Sequence, residues 1–212
     1  MDSNIKYHLC ELDIASNKND SRYCMPDICE DEKNILDIGC GIGQFFISQK
    51  LTNKFNVGID INLEGLSYGI KRYKYINYVN ADGVSLPFKS HSFDVVISRV
   101  SLPYTNIPEV ISEIARVIKP NGRIWLSFHP LPMILKQFKF SIKDIIFRLY
   151  VILNGLYMHC FGRLIPFLYK NRYESFQTAY AINRILKANS FSRIEISKGK
   201  HFVVKAIYEA SS

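Results

Sequence analysis

A glycine-rich turn with an acid in front of it is the first part of the sequence whose residue types could do chemistry. Gly39, Gly41 and Gly43 alternate with other residues, and Asp37 stands two positions before the first glycine. Glycines let a backbone turn sharply and approach a ligand closely. The fingerprint of a nicotinamide dinucleotide site would need a third glycine where this chain has Gln44. A carboxylate beside a pyrophosphate is unfavourable, so Asp37 instead favours a ligand that carries an amino group.

Asp60 is a second acid, in a position that suits a nucleoside. It ends a predicted strand about 20 residues after the turn, where a carboxylate can accept hydrogen bonds from both hydroxyls of a ribose. A further acid, Asp82, follows the next predicted strand. Either acid on its own is more often a helix cap or a turn residue. Their combination with the glycine-rich turn favours the binding role.

The elements that must position these residues alternate between strands and helices. The predicted strands cover 34–39, 55–61, 76–81, 93–98 and 123–128, and the helices among them include 43–51 and 63–73. A further helix has the clearest signals, since Asn106 can cap it, Pro108 sits in its first turn and Glu109 stands at the capping-box position. Residues 119–122 should stop it. Such alternation implies a largely parallel sheet with helices on both faces.

The two ends of the chain flank this alternating region. Residues 1–33 are polar and predict one short helix over 7–14, followed by a loop. Near the other end, 175–188 is predicted to be a helix, and 193–197 and 201–208 to be strands. The tight turn between these two strands predicts an antiparallel hairpin. A chain of 212 residues is long enough for one α/β domain and short for two.

In order and spacing, these motifs resemble those of the class I S-adenosylmethionine-dependent methyltransferases, in particular the small-molecule "type 11" branch, which is ubiquinone-biosynthesis-like. The similarity covers residues 34–129 and rests on four segments, DIGCGIG, GIDIN, NADGVSLPFKSHSFDVVIS and EIARVIKPNGRIWLSFHP. The resemblance implies S-adenosylmethionine as the cofactor and no metal. It also implies a Rossmann-like three-layer α/β/α sandwich, with a mostly parallel seven-stranded sheet and an antiparallel C-terminal hairpin.

We therefore expect a single methyltransferase domain over residues 1–212. Its parts would be an N-terminal helical and loop segment (1–33), a cofactor-binding core (34–129), a lid-like insertion (130–174) and a C-terminal helix with the hairpin (175–212). The glycine-rich turn and the acids fall in the core. They lie at carboxyl ends of predicted parallel strands, where open α/β sheets bind ligands.

The resemblance also implies roles for individual residues. The backbone of Gly39 and Gly41 would contact the methionine part of the cofactor, and Asp37 would hold its ammonium directly or through water. Ser98 and Arg99, at the end of the fourth strand, would line the sulfonium region. The full set of cofactor-binding positions implied in this way is Asp37, Gly39, Cys40, Gly41, Gly43, Asp60, Ile61, Asp82, Gly83, Ser98 and Arg99.

The nucleoside end of the cofactor would be held by residues that follow the second and third strands. The resemblance implies that Asp60 binds the ribose and that Ile61 lies against the adenine face. Asp82 would accept a hydrogen bond from the exocyclic amine of adenine, with Gly83 beside it.

His129 and Tyr104 are the candidate catalytic residues on the acceptor side. His129 directly follows the fifth strand, and the ordinary pKa of a histidine suits a base near neutrality. A loop histidine that orients the backbone beside Pro130 is an equally good interpretation. Tyr104 and Arg99 should also face the substrate, with an aromatic lid and a surface cation as their alternatives. Methyl transfer needs alignment and the exclusion of water more than it needs a catalytic dyad.

Residues 131–174 are the most distinctive part of the chain. They are rich in aromatic residues, contain seven Lys or Arg against two acids, and show no regular pattern. Charges at Arg148 and Arg163 and a break at Asn154-Gly155 make the apolar run too interrupted to span a membrane. We expect a lid over the acceptor pocket, and the alternative is a basic surface that rests on an anionic membrane. Both favour a small, partly apolar acceptor.

Composition leaves two rival functions open. A formal net charge of +8, and a segment 101–104 that is similar to a motif of adenine amino-methyltransferases but out of register, would suit a nucleic-acid methyltransferase. We expect no nucleic-acid partner, because the sequence contains no separate binding module. The other rival is a non-catalytic partner subunit that binds the cofactor. Five cysteines without a CxxC pair, and an N-terminus unlike a signal peptide, predict a cytoplasmic protein with reduced thiols.

Overall fold

The strands and helices of the protein follow the alternation expected from the sequence. The computed structural model describes residues 3–128, 141–168, 172–199 and 201–210. The described strands are β1 (Asn34–Ile38), β2 (Phe55–Asp60), β3 (Ile76–Asn80), β4 (Phe93–Arg99), β5 (Ile118–Phe128), β6 (Phe191–Lys198) and β7 (Phe202–Tyr208). The described helices are α1 (Ser3–Ser16), α2 (Gln44–Ser48), α3 (Leu63–Arg72), α4 (Ile107–Val117), α5 (Ile142–Phe161) and α6 (Ala179–Ala188), with a 3-10 turn over Leu102–Tyr104.

The described strands form one seven-stranded sheet in the order β3-β2-β1-β4-β5-β7-β6. The strands from β1 to β5 pair in parallel, whereas β7 runs antiparallel to both β5 and β6. The predicted mostly parallel sheet with an antiparallel C-terminal hairpin is therefore confirmed. The strand order reverses at β1 and β4, which is the point at which open sheets of this type form a ligand-binding crevice.

Alternate side chains of the strands face two separate apolar cores, because successive residues of a strand point to opposite faces. Ile35 of β1 packs on one face with Phe45 and Phe46 of α2. Leu36 faces the other core, to which α4 contributes Ile111 and α6 contributes further apolar side chains. The result is the predicted Rossmann-like three-layer α/β/α sandwich.

Both ends of α4 differ from the prediction. β5 begins at Ile118 and includes residues 119–122, which the sequence predicted as a separate stop. The extended backbone of Ile118, with φ −77° and ψ 143°, ends the helix at Val117. At the other end, the side chain of Asn106 makes no capping hydrogen bond, against the prediction. Pro108 has no N–H, which removes one of the two donors that an N-cap side chain normally meets.

A helix of 20 residues, α5, occupies much of the region in which the sequence predicted no regular element. The hydroxyl of Ser141 caps it by accepting a hydrogen bond from the N–H of Asp144 at 3.2 Å. It ends at Phe161 and is followed by the capping residue Gly162, which has a φ of 69°. The helix is apolar on its outward as well as its inward side, so its sequence lacks the one-sided stripe by which a surface helix is recognised.

Asn154 and Gly155, predicted as a break, lie inside α5 and have a packing role. The Nδ2 of Asn154 donates to the carbonyl of Glu174 at 3.0 Å, and its Oδ1 accepts from the N–H of Ile165 at 2.8 Å. Gly155 lets Phe176 pack against the helix, since a Cβ at this glycine would lie 2.3 Å from Cδ1 of Phe176. These contacts hold the chain that follows α5 against the helix.

The last helix begins later than predicted. The sequence predicted its start at residue 175, whereas α6 begins at Ala179. The hydroxyl of Thr178 accepts a hydrogen bond from the N–H of Ala181 at 3.1 Å, so the capping preference of threonine decides where the helix starts. The remaining boundaries shift by a few residues, as is usual for element ends.

Candidate functional site

A cavity of about 1230 Å³ opens at the carboxyl ends of β1, β2 and β4. Its walls come from the turn after β1, from the residues that follow β2, β3 and β4, and from α1. The predicted site residues that line it are Asp37, Gly39, Cys40, Asp60, Ile61, Asp82, Gly83, Arg99 and Tyr104. Gly41, Gly43 and Ser98 are not on its wall, and His129 lies outside the described residues.

The turn after β1 needs glycine at two positions because of what packs against it. Gly39 has a φ of 79°, and a Cβ there would lie 2.3 Å from the Cβ of Ser101. Gly41 has a φ of 56°, and a Cβ there would lie 2.6 Å from Nδ1 of His8. Positive φ is itself unfavourable for residues other than glycine. The turn therefore fits between the segment that follows β4 and the helix α1.

Asp60 ties this turn to the end of β2. Its Oδ2 accepts a hydrogen bond from the N–H of Gly41 at 2.8 Å, and its Oδ1 accepts from the N–H of Asn62 at 2.9 Å. The N–H of Gly39 adds a backbone link by donating to the carbonyl of Ile59 at 2.8 Å. A carboxylate offers about four lone-pair sites, so Asp60 retains acceptor capacity for the hydroxyls of a ligand.

Asp37 is a buried acid with an unsatisfied oxygen. Only 3% of its surface is exposed, and its Oδ1 has no hydrogen-bond partner within the described part of the chain. Burial raises the pKa of Asp37 to about 7; the nearby Arg99 cation acts in the opposite direction, and the Asp60 carboxylate raises the pKa further. Buried polar atoms in proteins are almost always hydrogen-bonded, so this oxygen on a cavity wall fits a cationic donor from a ligand.

The wall formed after β2 and β3 has the surface that a nucleoside base would need. Ile61 lines the cavity and is 73% exposed although it is apolar. Asp82 lines the same cavity, and its Oδ1 accepts a hydrogen bond from the N–H of Val84 at 3.2 Å. Gly83 is buried beside it, where a Cβ would lie 3.3 Å from Cγ2 of Ile38. An exposed apolar side chain near an acid suits a flat aromatic ring that carries an amino group.

Ser98 positions a neighbour and does not line the cavity as expected. Its side chain is completely buried, and its Oγ lies 2.6 Å from the Oγ of Ser101, which donates to the carbonyl of Ile38 at 2.8 Å. Because that bond uses the hydroxyl proton of Ser101, Ser98 is the donor in the serine pair. The chain turns sharply at Val100, whose φ is 61°, and this brings Ser101 to the wall in place of Ser98.

The helix α1 is a part of the site that the sequence did not predict. Tyr7, His8 and Glu11 line the cavity. The carboxylate of Glu11 pairs with the Nη2 of Arg99 at 2.7 Å, and 13% of the arginine side chain is exposed. Arg99 thus lines the cavity and also links the end of β4 to α1. The cavity-lining residues of α1 are mostly polar, so no apolar pattern in the sequence indicates the contact.

His8 packs against the glycine-rich turn. Its Nδ1 accepts a hydrogen bond from the Nε2 of Gln44 at 3.1 Å, while the Oε1 of Gln44 accepts from the N–H of Ile42 at 3.1 Å. Burial lowers the pKa of His8, although nearby carboxylates oppose the shift. The residue that breaks the dinucleotide fingerprint, Gln44, therefore holds α1 against the turn.

Tyr104 lies in the 3-10 turn after β4 and lines the cavity. Partial burial, together with the Glu174 carboxylate, raises the pKa of Tyr104 to about 12, so its phenol stays protonated at neutral pH. Among the described residues of 131–174, Arg172 and Tyr173 line the cavity and no residue of α5 does. The contribution of this region to the cavity, where it is described, is therefore a short stretch after the helix.

The described residues bear on two other kinds of site. Within them, no group of three or more His, Cys, Asp or Glu side chains is arranged to hold a metal ion. In the same ranges, no helix has both the length and the apolar character that crossing a bilayer requires.

All five cysteines are free thiols, and burial raises the pKa of the Cys40 thiol on the cavity wall.

The central part of this chain is similar to known proteins. Residues 36–126 match the family model described as "Methyltransferase domain". The phthiotriol/phenolphthiotriol dimycocerosates methyltransferase of Mycobacterium leprae is 33% identical over 97 residues, which are 43% of this chain and 36% of that protein. The mitochondrial arginine-hydroxylase NDUFAF5 of Rattus norvegicus is 36% identical over 123 residues, which are 56% of this chain and 34% of that protein. The matched region thus spans little more than a third of these relatives.

Most of the fold is shared with a solved structure. Phosphoethanolamine N-methyltransferase 2 of Haemonchus contortus, solved in complex with S-adenosyl-L-methionine, superposes with a TM-score of 0.61 at 15% identity. The likeness covers 86% of this chain and 50% of that one. At this level of identity the similarity concerns the fold alone.

Proposed function

We propose that this chain, which belongs to the class I S-adenosylmethionine-dependent methyltransferases of the type 11 kind, transfers a methyl group from S-adenosylmethionine to a small, partly apolar acceptor. The observation that most supports the proposal is the Oδ1 of Asp37, which has no hydrogen-bond partner among the residues that the structure describes. This oxygen belongs to a buried residue on the cavity wall, where a cationic donor would satisfy both its charge and its hydrogen bonding. The ammonium of the cofactor's methionine part is such a donor.

The rest of the cavity wall fits the rest of the cofactor. The carboxylate of Asp60 would accept from the ribose hydroxyls, and the exposed Ile61 would pack on the adenine ring. Asp82 would accept from the exocyclic amine, and the backbone at Gly39 and Cys40 would lie along the methionine part. When bound, the cofactor supplies a methyl group that its sulfonium has already activated. The chain supplies binding, alignment and the exclusion of water.

On the acceptor side of the cavity, Tyr104 is suited to donate a hydrogen bond to the methyl acceptor. A phenol with a pKa of about 12 is protonated at neutral pH, so it can donate a hydrogen bond that orients the acceptor. Tyr173 adds a second aromatic ring to the same cavity, which suits an acceptor with an apolar portion. His129 stays our candidate base for an acceptor whose nucleophile is a hydroxyl. Five free thiols fit the reducing cytoplasm as the place of action.

Replacing Asp60 by alanine should weaken the binding of S-adenosylhomocysteine by about 1–3 kcal/mol, because ribose hydroxyls would lose a charged acceptor. Calorimetric titration measures the difference. Asp94 provides a matched control, because it also accepts backbone hydrogen bonds but does not line the cavity. Its Oδ2 accepts from the N–H groups of Lys33 and Asn34, at 3.0 and 2.8 Å. Asp94→Ala should lower stability and leave the affinity intact. Equal affinity of wild type and Asp60→Ala would remove Asp60 from the site, and tight NADH binding by the wild type would contradict the cofactor assignment.

Turnover is tested by incubating the protein with methyl-labelled S-adenosylmethionine and a small-molecule extract. Label should move into a product that partitions into organic solvent, because the proposed acceptor is partly apolar. Asp60→Ala is the control for cofactor-dependent transfer. Label found only in the nucleic-acid fraction would support the nucleic-acid rival, and cofactor binding without any transfer would support the non-catalytic one.

A further inference from the structure

The outward face of α5 is an exposed apolar stripe. Spacings of three and four residues place its members on one side of the helix, and each of them is between 47% and 77% exposed. The stripe consists of Ile142, Ile145, Ile146, Leu149, Leu153 and Leu156. The opposite side of the helix, with Val151 and Met158, is buried against the protein. Contiguous apolar surface of this kind on a folded chain marks an interaction site.

Exposed apolar residues continue at the last residue of the helix and after it, and positive charge flanks the stripe. Phe161, Ile165 and Leu168 are 66%, 51% and 102% exposed. Lys143 and Arg163, near the two ends of α5, are also exposed, and neither has an ion-pair partner within the described residues. The surface therefore combines apolar side chains with unneutralised cations.

Both acids of the region are already neutralised. Asp144 pairs with Arg148 at 2.8 Å, and Glu174 pairs with Arg172 at 3.2 Å. Residues 131–174 contain seven Lys or Arg in all, so the charge left over is positive. An occupant of this surface must bring apolar groups for the stripe and negative charge for its surroundings.

We propose that the outward face of α5 lies in the interfacial region of an anionic lipid membrane. Apolar side chains of such a helix enter the boundary between head groups and acyl chains, while flanking Lys and Arg stay at the anionic head groups. The helix would lie along the membrane surface. The buried side of the helix would keep it attached to the sheet, so the whole domain would rest on the lipid.

A second copy of the chain fits this face less well. A symmetric pair uses the same surface patch on both partners. Two α5 helices packed in opposite directions would bring Lys143 near Arg163 of the other copy, and packed in the same direction would bring equivalent cations together. Like charges set against each other across an interface are unfavourable, and the stripe contains no acid to offset them.

The helix contacts a residue that lines the cavity, although α5 itself does not line it. The ring of Phe147 lies 5.4 Å from the ring of Phe167, and the guanidinium of Arg172 lies 5.1 Å from the centre of the Phe147 ring. Arg172 and Tyr173 line the cavity. A membrane beneath α5 would therefore lie close to the cavity that the proposed function assigns to a partly apolar acceptor. Membrane binding itself does not depend on that function.

Co-sedimentation with lipid vesicles tests the proposal. The wild-type chain should bind vesicles of phosphatidylcholine that contain phosphatidylglycerol, bind pure phosphatidylcholine vesicles more weakly, and be released partly by high salt. The double variant Leu149→Glu/Leu153→Glu should bind at least about tenfold more weakly. The matched control is Leu63→Glu/Ile70→Glu on α3, whose side chains are 63% and 47% exposed, and it should bind like the wild type.

Each other outcome is decisive. Cooperative urea unfolding checks that the variants fold, and Leu149→Ser/Leu153→Ser replaces the glutamate variant should that variant lose its unfolding transition. The proposal is overturned if the wild-type chain does not bind anionic vesicles, or binds neutral vesicles equally well. So does a dimer, seen by analytical ultracentrifugation, that only the α5 variant dissociates. Failure of methyl transfer leaves the vesicle result unchanged, so the two proposals are judged separately.

Discussion

Replacing Asp37 by asparagine should weaken the binding of S-adenosylhomocysteine by about 2–3 kcal/mol, or roughly 30- to 150-fold. The substitution keeps the size of the side chain and removes the charge that we assign to the ammonium of the cofactor. Calorimetry at a pH above 7 gives the affinity, because the wild-type carboxyl, whose pKa is about 7, is then mostly ionised. Wild-type affinity should itself increase as the pH rises through 7, and that of Asp37→Asn should not.

The same variant should make the ligand-free protein more stable at alkaline pH. The pKa of Asp37 is raised from 3.8 to about 7 in the folded chain. Between these values the folded chain holds a proton that the unfolded chain has released, so the Asp37 contribution to the free energy of unfolding falls as the pH rises. Asparagine does not ionise. The stability gain of Asp37→Asn over wild type should grow from about pH 4 to about pH 7 and stay constant above.

Asp94→Asn is the control with the opposite sign. Desolvation acts to raise the pKa of Asp94, but hydrogen bonds from Lys119 and from the N–H groups of Asn34 and Lys33 outweigh it, so the pKa is lowered. Asp94→Asn should therefore lose stability near neutral pH and keep its affinity for the cofactor product. Urea unfolding at several pH values measures both variants. Parallel stability curves for wild type and Asp37→Asn would show that Asp37 is not a buried acid with a raised pKa.

The part of the site that could be predicted is the part whose residue types are set by local backbone geometry. Gly39 and Gly41 have positive φ, and Asp60 accepts N–H groups only 19 and 2 residues away. Such requirements restrict which residue types can stand at these positions, so they can be recognised in a short stretch of sequence. The largely parallel pairing of β1 to β5 follows equally from local signals, because strands that alternate with helices are joined by crossover connections. The strand order itself was not predicted, because it depends on which strands pair across the sheet.

The helices α1 and α5 show what local signals do not contain. α1 joins the site through polar pairs between residues far apart, His8 with Gln44 and Glu11 with Arg99, and such pairs have no periodicity. α5 has apolar residues on two sides, so the pattern that distinguishes an inner from an outer face is missing. In both cases the tertiary partner decides the role of the helix, and the sequence of the helix alone does not name that partner.

The last expected result concerns the turn itself. Gly39→Ala should destabilise the ligand-free protein by about 2–4 kcal/mol and abolish measurable binding of S-adenosylhomocysteine, because the new methyl group meets both backbone strain and a steric clash. The φ of Gly39 is 79°, and the Cβ would lie 2.3 Å from the Cβ of Ser101. Ser101 is not free to move, since its hydroxyl donates to the carbonyl of Ile38 at 2.8 Å and lies 2.6 Å from the Oγ of Ser98.

The clash and the strain can be separated by a second substitution. Ser101→Gly removes the clashing side chain but leaves the positive φ, so the double variant Gly39→Ala/Ser101→Gly should be more stable than the sum of the two single changes predicts. Gly199→Ala is the matched control, because a Cβ at Gly199 meets no atom of the described residues within 4 Å, and it should change neither stability nor binding. Additive losses in the double variant would mean that backbone strain alone requires glycine at position 39. Full stability of Gly39→Ala would mean that the turn adopts another conformation in solution, with a different cavity wall around it.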